Sequence, residues 1–387
     1  MKILHCCLAA FYIDKYGYQE NVLPKMHKIQ GHKVEILAST ETYLNGNELS
    51  YVKPSVYYNE DKIKVTRLPY LKLLPHFIAK KLRMYHGVYK KLNEFKPDII
   101  WLHDVQFLDI LQVIKYLKKN KNTIVFADGH ADFTNSATNW ISKNILHYII
   151  YKFCAQKIDK YVTKFYGTLP CRVDFFKDFY KVENSKVELL VMGVDDTLID
   201  YNKEKLKTDL RKKHQINHED FLLISGGKIN QKKNIHHLVN AVANINQPNI
   251  KLILFGKPDR EILNIIDEKL NHPSIIYLDW INNIDIHKYL LISDLAVFPG
   301  KHSVLWEQSV GCGLPGIFKN IPGHEHIDIG GNCILIDEGS EQEITDAILN
   351  IFNNKELYSS LKENALNKGS EYFSYYKIAE RSIKPRL

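Results

Sequence analysis

The stretch Val297-Phe-Pro-Gly-Lys-His-Ser-Val-Leu-Trp-Glu-Gln-Ser-Val-Gly-Cys-Gly-Leu-Pro-Gly-Ile-Phe-Lys319 decides how this chain is read. It opens inside the run Asp294 to Phe298, which has the apolar character of a buried parallel strand. Pro299 and Gly300 break that run, and a short helix is expected from Ser303, carrying Trp306, Glu307 and Val310. Gly311 to Pro315 stop the helix, and Gly316 to Phe318 start another strand. One turn therefore lies at the carboxyl end of a strand and opens a helix, where open α/β sheets bind ligands. Free N–H groups at such a helix start suit a phosphate. Ser303 is the expected N-cap. Glu307, one turn further in, is expected to reach a sugar beside the phosphate.

A second turn of the same kind stands about seventy positions earlier. Phe221 to Ser225 reads as a strand and Ile235 to Ala243 as a helix, joined by Gly226-Gly227-Lys228-Ile229-Asn230-Gln231-Lys232-Lys233-Asn234. Further strands are expected at Ile250 to Phe255 and Ser274 to Leu278, with a helix over Ile284 to Ile292 and a polar helix over Lys203 to Lys213. Trp280 and Ile281 belong either beside a base or in the core. The chain begins with another strand–helix–strand unit: Lys2 to Ala10, Tyr18 to Ile29 and Lys33 to Ala38, with Gly31 closing the helix. Two later strands of this half end in polar residues. Asp98 to Leu102 leads into His103-Asp104, and Thr123 to Ala127 leads into Asp128-Gly129-His130-Ala131-Asp132.

The two turns together resemble the donor-nucleotide site of GT-B glycosyltransferases, closest to the large retaining group called family 4. Glu307, Gly313 and Pro315 match the second glutamate of its E-x7-E motif and the Gly-x-Pro turn that follows. Gly227 and Lys233 match its Gly-Arg-x4-Lys-Gly pattern, with Lys228 in place of Arg. Lys keeps the charge and loses the bidentate fork. The first glutamate of E-x7-E is absent; Pro299 stands in its position, and His302 or Lys301 is the expected substitute.

The resemblance implies an α/β chain of two Rossmann-like domains facing each other across a cleft. Residues 1–195 form the acceptor domain, joined by a C-terminal helix, 371–387, that crosses back to it. Residues 196–370 form the donor domain. It implies donor binding by Gly227, Lys228, Lys233, His302, Ser303, Val304 and Glu307. Lys228, Lys233 and the N–H groups of the Lys301–Val304 turn would neutralise a diphosphate, and Glu307 would hold a ribose. It implies a catalytic set of His130, Lys228 and Lys233, with His130 near the donor sugar, and transfer with retention assisted by the leaving phosphate. Gly17, Tyr18, Gln19 and His103 are expected on the acceptor side. No metal and no cofactor are expected; the nucleoside-diphosphate sugar is the substrate. A sugar-nucleotide 2-epimerase of the same fold and a non-catalytic partner subunit are the alternatives.

Composition bounds the reading. A chain of 387 residues suits two domains, and 45% hydrophobic with 25% charged residues is ordinary for a globular protein. No run of eighteen apolar residues is present. Met1 to Ala10 reads as a strand rather than a signal peptide, so a cytoplasmic location is expected. Six cysteines lack zinc or C-x-x-C spacing and are expected as reduced thiols. No Walker A sequence and no D-x-D occur. The string Gly311 to Gly316 matches G-x-G-x-x-G but follows a helix, the reverse of the dinucleotide context.

The charge is uneven. The first 190 residues carry 29 Lys and Arg against 18 Asp and Glu, the remainder 23 against 26. A basic first half implies an acidic partner, and no nucleic-acid module accompanies it. Leu71 to Phe95 is basic and amphipathic, and Trp140 to Phe153 is aromatic and aliphatic. Both are expected to border an anionic membrane surface, which suits a lipid-linked or cell-envelope glycan acceptor.

Overall fold

Two parallel sheets organise the chain. The computed structural model describes every residue except 45–47, 134–135, 137–138, 141, 200–201 and 385–387. The backbone separates into one unit of Met1–Val191 with Ile378–Leu387 and a second of Met192–Lys377.

The first unit holds β1 (Lys2–Cys7), β2 (Lys33–Ala38), a hairpin of β3 (Glu41–Leu44) and β4 (Glu48–Tyr51), then β5 (Ser55–Tyr58), β6 (Lys64–Arg67), β7 (Ile99–His103), β8 (Ile124–Gly129), β9 (Lys164–Gly167) and β10 (Val187–Leu189). The main sheet runs β10-β9-β8-β7-β1-β2-β6-β5, parallel except where β5 meets β6. β1 lies between β2 and β7, so the strand order reverses at the β1/β7 boundary. Every residue of β7 is buried, as its continuous apolar run requires.

The second unit holds β11 (Phe221–Gly226), β12 (Ile250–Phe255), β13 (Ile275–Leu278), β14 (Leu295–Phe298), β15 (Gly316–Lys319) and β16 (Cys333–Ile336). Its sheet runs β13-β12-β11-β14-β15-β16, and every pairing is parallel. Counted within the unit this is the doubly wound order 3-2-1-4-5-6, whose switch point falls between β11 and β14. The two turns singled out in the sequence leave those two strands. Helix Ile235–Asn244 repeats apolar residues at helical spacing and buries Ile235, Leu238, Val239 and Val242.

Several expectations change. Leu71 to Phe95 is not one helix: His76–Leu82 ends at Arg83 in the left-handed conformation, and Val88–Phe95 begins after Gly87. Arg83 is not a surface cation. Its guanidinium lies over the Tyr151 ring and donates to the carbonyl of Gln106 at 3.0 Å. Leu92, Tyr85 and Phe95 are core residues. Leu73 and Phe77 are exposed. The second stretch winds as a π-helix over Ser142–Tyr151, followed by helix Lys152–Asp159. It exposes Trp140, Ile145, Tyr148, Ile149 and Phe153; Ile141 lies outside the described residues. The aromatic tail is two pieces, Ser370–Tyr372 and Tyr375–Ser382. All six cysteines are free thiols. Among the described residues no helix is long and apolar enough to cross a membrane.

Candidate functional site

At the switch point of the second sheet the two turns are pinned to each other by backbone. Lys301 N–H donates to the carbonyl of Lys232 at 2.8 Å. Gly300 packs so closely on Lys233 that a Cβ would lie 2.3 Å from its carbonyl carbon. Gly256, with φ +111°, would place a Cβ 1.9 Å from the carbonyl oxygen of Gly227. Both contacts require glycine and hold the turns at a fixed spacing.

Lys233 occupies the junction. Its Nζ donates to the carbonyls of Lys301 at 2.7 Å and His302 at 2.9 Å, which leaves one N–H for a ligand. Burial, reinforced by the charge of Lys301 and opposed by that of Glu307, lowers its ammonium pKa to about 8. Lys228 is exposed. Gly227 takes φ +95°, and Asn234 takes φ 53° and donates to the carbonyl of Pro299 at 3.2 Å.

Glu307 is fully buried on helix Leu305–Gly311. Its Oε1 accepts from His302 Nε2 and from His326 Nε2, each at 2.8 Å. Its Oε2 is buried with no partner. Burial disfavours the carboxylate, but the His302 and His326 imidazoles outweigh it and hold the group well below the usual carboxylate range. The three ligand-type atoms lie within 4.8 Å of one another, the one such His/Glu convergence among the described residues. With Oε1 already taken, Oε2 alone remains for the ribose contact expected of Glu307. His326 was missed by the sequence reading. Its signal was the His324-Glu325-His326 spacing just past β15.

Two smaller corrections concern the same turn. Ser303 does not cap the helix, because Val304 holds the cap position and no side chain caps it. Lys301 cannot offer its N–H to a phosphate, since Lys232 holds it. The N–H groups of His302, Ser303 and Val304 are left for that role. Trp280 is 63% exposed, so it is not a core residue.

In the first unit His130 follows β8, with its Nε2 3.5 Å from Asp128 Oδ1 and 3.9 Å from Glu20 Oε1. Burial pushes its pKa down, but the bond to Asp128 and the charge of Glu20 prevail and raise it. Asp128 is fully buried and accepts from Trp101 Nε1 at 3.0 Å, Gln19 Nε2 at 2.9 Å and the Asp104 N–H at 3.1 Å. These contacts overturn two acceptor-side expectations. Gln19 is buried with its amide on Asp128, and His103 is wholly buried with its Nδ1 2.8 Å from Asp128 Oδ2. Neither faces a substrate. Gly17 is half-buried, and Tyr18 is exposed beside Tyr16.

Residues 207–368, all within the second unit, match the family described as Glycosyl transferases group 1. Solved structures with the same fold span the whole chain. Sucrose-phosphate synthase from Thermosynechococcus elongatus superposes with a TM-score of 0.67 at 16% identity, covering 98% of this chain and 96% of that one. Anabaena Alr3699/HepE in complex with UDP gives 0.68 at 14% identity, covering 98% of each; HepE is also solved with UDP-glucose. WaaG, a glycosyltransferase involved in lipopolysaccharide biosynthesis, gives 0.65 at 15% identity, again covering 98% of each. No curated protein matches the chain by sequence. The fold is that of the GT-B glycosyltransferases, two Rossmann-like units each built on a parallel sheet. The family match and these neighbours support a GT-B glycosyltransferase.

Proposed function

We propose that this chain transfers a sugar from a nucleoside-diphosphate sugar, with the donor held at the β11/β14 switch point. The observation that carries the reading is the placement of Lys233. It is half-buried, anchored to two carbonyls and still one N–H short of its capacity. A cation so fixed stabilises charge developing on a leaving diphosphate without reorganising, often the largest catalytic contribution. Lys228 adds a second charge, and the N–H groups of His302, Ser303 and Val304 line the same turn. Glu307 Oε2 takes a ribose hydroxyl, which supplies the donor it lacks. The UDP and UDP-glucose complexes of HepE favour a uridine donor.

The resemblance to family 4 favours retention without a metal, with His130 beside the reacting sugar. His302 takes the place of the missing first glutamate. A lipid-linked or cell-envelope acceptor suits the basic first half and the exposed aromatic surface. There Lys143, Lys152 and Lys157 lie over the rings of Phe133, Tyr148 and Phe153, so cations and apolar rings share one face. Such a face favours peripheral attachment to an anionic membrane. Co-sedimentation with anionic vesicles should fall with salt and with Lys143, Lys152 and Lys157 changed to Glu. Equal binding to neutral vesicles would count against it.

The deciding experiment is a thermal-shift screen of sugar nucleotides, because a ligand bound only by the native state raises apparent stability. Uridine diphosphate sugars should raise Tm more than free nucleosides, with or without chelator. No shift with any nucleoside diphosphate would refute the donor site. Donor epimerisation without an acceptor would reassign the chain to the epimerase reading.

A further inference from the structure

Glu307 stands inside a cluster of nitrogen and oxygen donors. His302 lies on the turn after β14, Glu307 on helix Leu305–Gly311 and His326 in the single turn Glu325–Ile327 after β15. Three separate segments thus converge, and their ligand-type atoms lie within 4.8 Å of one another. Both imidazoles reach the same oxygen, Oε1, through Nε2 at 2.8 Å. Oε2 is buried with no partner, and so is His326 Nδ1. Neighbouring rings hold the imidazoles in place. His302 stands edge-on to Trp306 with centroids 5.1 Å apart, and His326 edge-on to Phe373 at 6.4 Å. The His302 backbone is held as well, since its carbonyl accepts from Lys233 Nζ.

A carboxylate oxygen has no proton to give, so each Nε2 carries its own proton and points it at Oε1. Two protons therefore stand where one cation can. Two imidazoles and a glutamate are a donor set of open zinc sites. Imidazole nitrogen selects zinc-class ions over Mg²⁺ and Ca²⁺, which take oxygen ligands. The movement required is small. Bonds of about 2.0 Å in a tetrahedral site put the ligand atoms roughly 3.3 Å apart, so each N–O separation opens by roughly 0.5 Å. His302 is half-buried on its turn and supplies that movement and the way in. The displaced protons stay on the rings: each imidazole shifts its own from Nε2 to Nδ1, and His326 Nδ1 has a lone pair free to receive it.

We propose that His302, Glu307 and His326 form a site for a zinc-class divalent ion, and that this ion competes with the donor nucleoside for Glu307. A carboxylate shared with a dication is a poorer acceptor for a ribose hydroxyl, because the hydrogen bond loses its charge assistance. The ion switches donor binding off and takes no part in the transfer, which stays metal-independent. The site stands on the convergence of the three side chains. The competition rests on the reading of Glu307 as the ribose acceptor.

The test uses the full chain stripped of metal with a chelator. Co²⁺ should bind one per chain and give the visible bands of a low-coordinate nitrogen–oxygen site, and Zn²⁺ should displace it. His302→Gln and His326→Gln each keep an N–H for Glu307, so the hydrogen-bonded cluster survives while one ligand nitrogen is lost. Each should weaken Co²⁺ binding by about tenfold or more. A cluster that only props the carboxylate gives no bands. Absence of bands overturns the site. So does parent-like Co²⁺ affinity in either variant, as binding at the adjacent His236 and His237 would give. If the buried His326→Gln does not fold, His302→Gln alone decides. Calorimetry with uridine tests the competition. Its affinity should fall roughly tenfold when the parent is saturated with Zn²⁺, and should not respond to Zn²⁺ in His326→Gln. Equal uridine affinity with and without Zn²⁺ overturns the competition. If uridine fails to bind even the metal-free chain, the donor reading fails and the competition with it, while the Co²⁺ titration still decides the site.

Discussion

Two buried carboxylates, one in each unit, meet the same chemistry and use it differently. Asp128 ends β8 and Glu307 opens the helix after β14; each is fully buried and flanked by two imidazoles. Asp128 is saturated. Five groups approach its two oxygens, from β7, the loop after it, helix Gln19–Ile29 and its own loop. Glu307 is lopsided, with both imidazoles on Oε1 and nothing on Oε2. A buried acceptor left empty costs about 1–3 kcal/mol, which a ligand hydroxyl can return. A saturated carboxylate has nothing to return. On the proposed function, Asp128 therefore holds the fold and Glu307 binds the donor.

The largest effect should come from the saturated one. Asp128→Ala strands the donors of Trp101, Gln19 and Asp104 and removes the carboxylate beside His103. Unfolding in urea should show a loss of about 3–5 kcal/mol, the usual cost of breaking a buried pair. A loss below about 1 kcal/mol would show that those donors find other partners, and the contrast with Glu307 would collapse.

Glu307→Ala should be read in binding. Its nucleoside and nucleoside diphosphate affinities should both fall by roughly 1.5–3 kcal/mol, as when a charged hydrogen bond is removed. Calorimetry with both ligands decides it. Unchanged nucleoside affinity in a folded variant would mean that Oε2 is merely a strained acceptor and that Glu307 only orients His302.

How much of this the sequence revealed depends on where each signal lives. The donor turns were legible because glycine spacing, strand-to-helix order and two lysines lie within a few positions of each other. Lys233, Gly227 and the β14 break at Pro299 and Gly300 all stand where the pattern put them. The contacts among His5, His27, His103 and Asp128 were not legible. The four residues come from four separate elements: the strand order β1-β7-β8 brings His5, His103 and Asp128 together, and helix Gln19–Ile29 adds His27. His103 and Gln19 look like cleft residues by position, yet they point into the sheet's own polar core. Likewise Arg83 and Leu92 belong to one basic amphipathic pattern on paper. A left-handed residue at Arg83 splits that pattern into two helices and turns the guanidinium inward.

A smaller effect separates the lysine from the carboxylate. Lys233→Ala should weaken the diphosphate by about 1.5 kcal/mol and the nucleoside hardly at all. The pH dependence gives the sign. With its pKa lowered to about 8, Lys233 is charged at pH 7 and loses its proton as pH rises through 8. Diphosphate affinity of the parent should therefore fall between pH 7 and 9, while Lys233→Ala should show no such fall. An identical slope in both would move the titrating group elsewhere.

The smallest effect tests the turn between them. Ser303 was expected to cap the helix, and a true cap lost to Ala costs about 0.5–2 kcal/mol. The helix instead starts after Val304 with no side-chain cap, and Ser303 contributes only a carbonyl, to the Trp306 N–H at 3.0 Å. Ser340 provides the contrast within the same unit, because its hydroxyl accepts from the Glu343 N–H at the start of helix Glu341–Asn353. Ser340→Ala should therefore cost about 1 kcal/mol of stability and leave nucleotide binding alone. Ser303→Ala should do the reverse: stability within about 0.5 kcal/mol of the parent, and diphosphate affinity lower by about 0.5–1.5 kcal/mol, the net worth of one neutral hydrogen bond. Paired denaturation and calorimetry on the two variants read both quantities. If Ser303→Ala destabilises as much as Ser340→Ala and binds as the parent does, the hydroxyl serves the helix after all. Glu307 Oε2 would then be the only unfilled acceptor on which the donor reading of that turn depends.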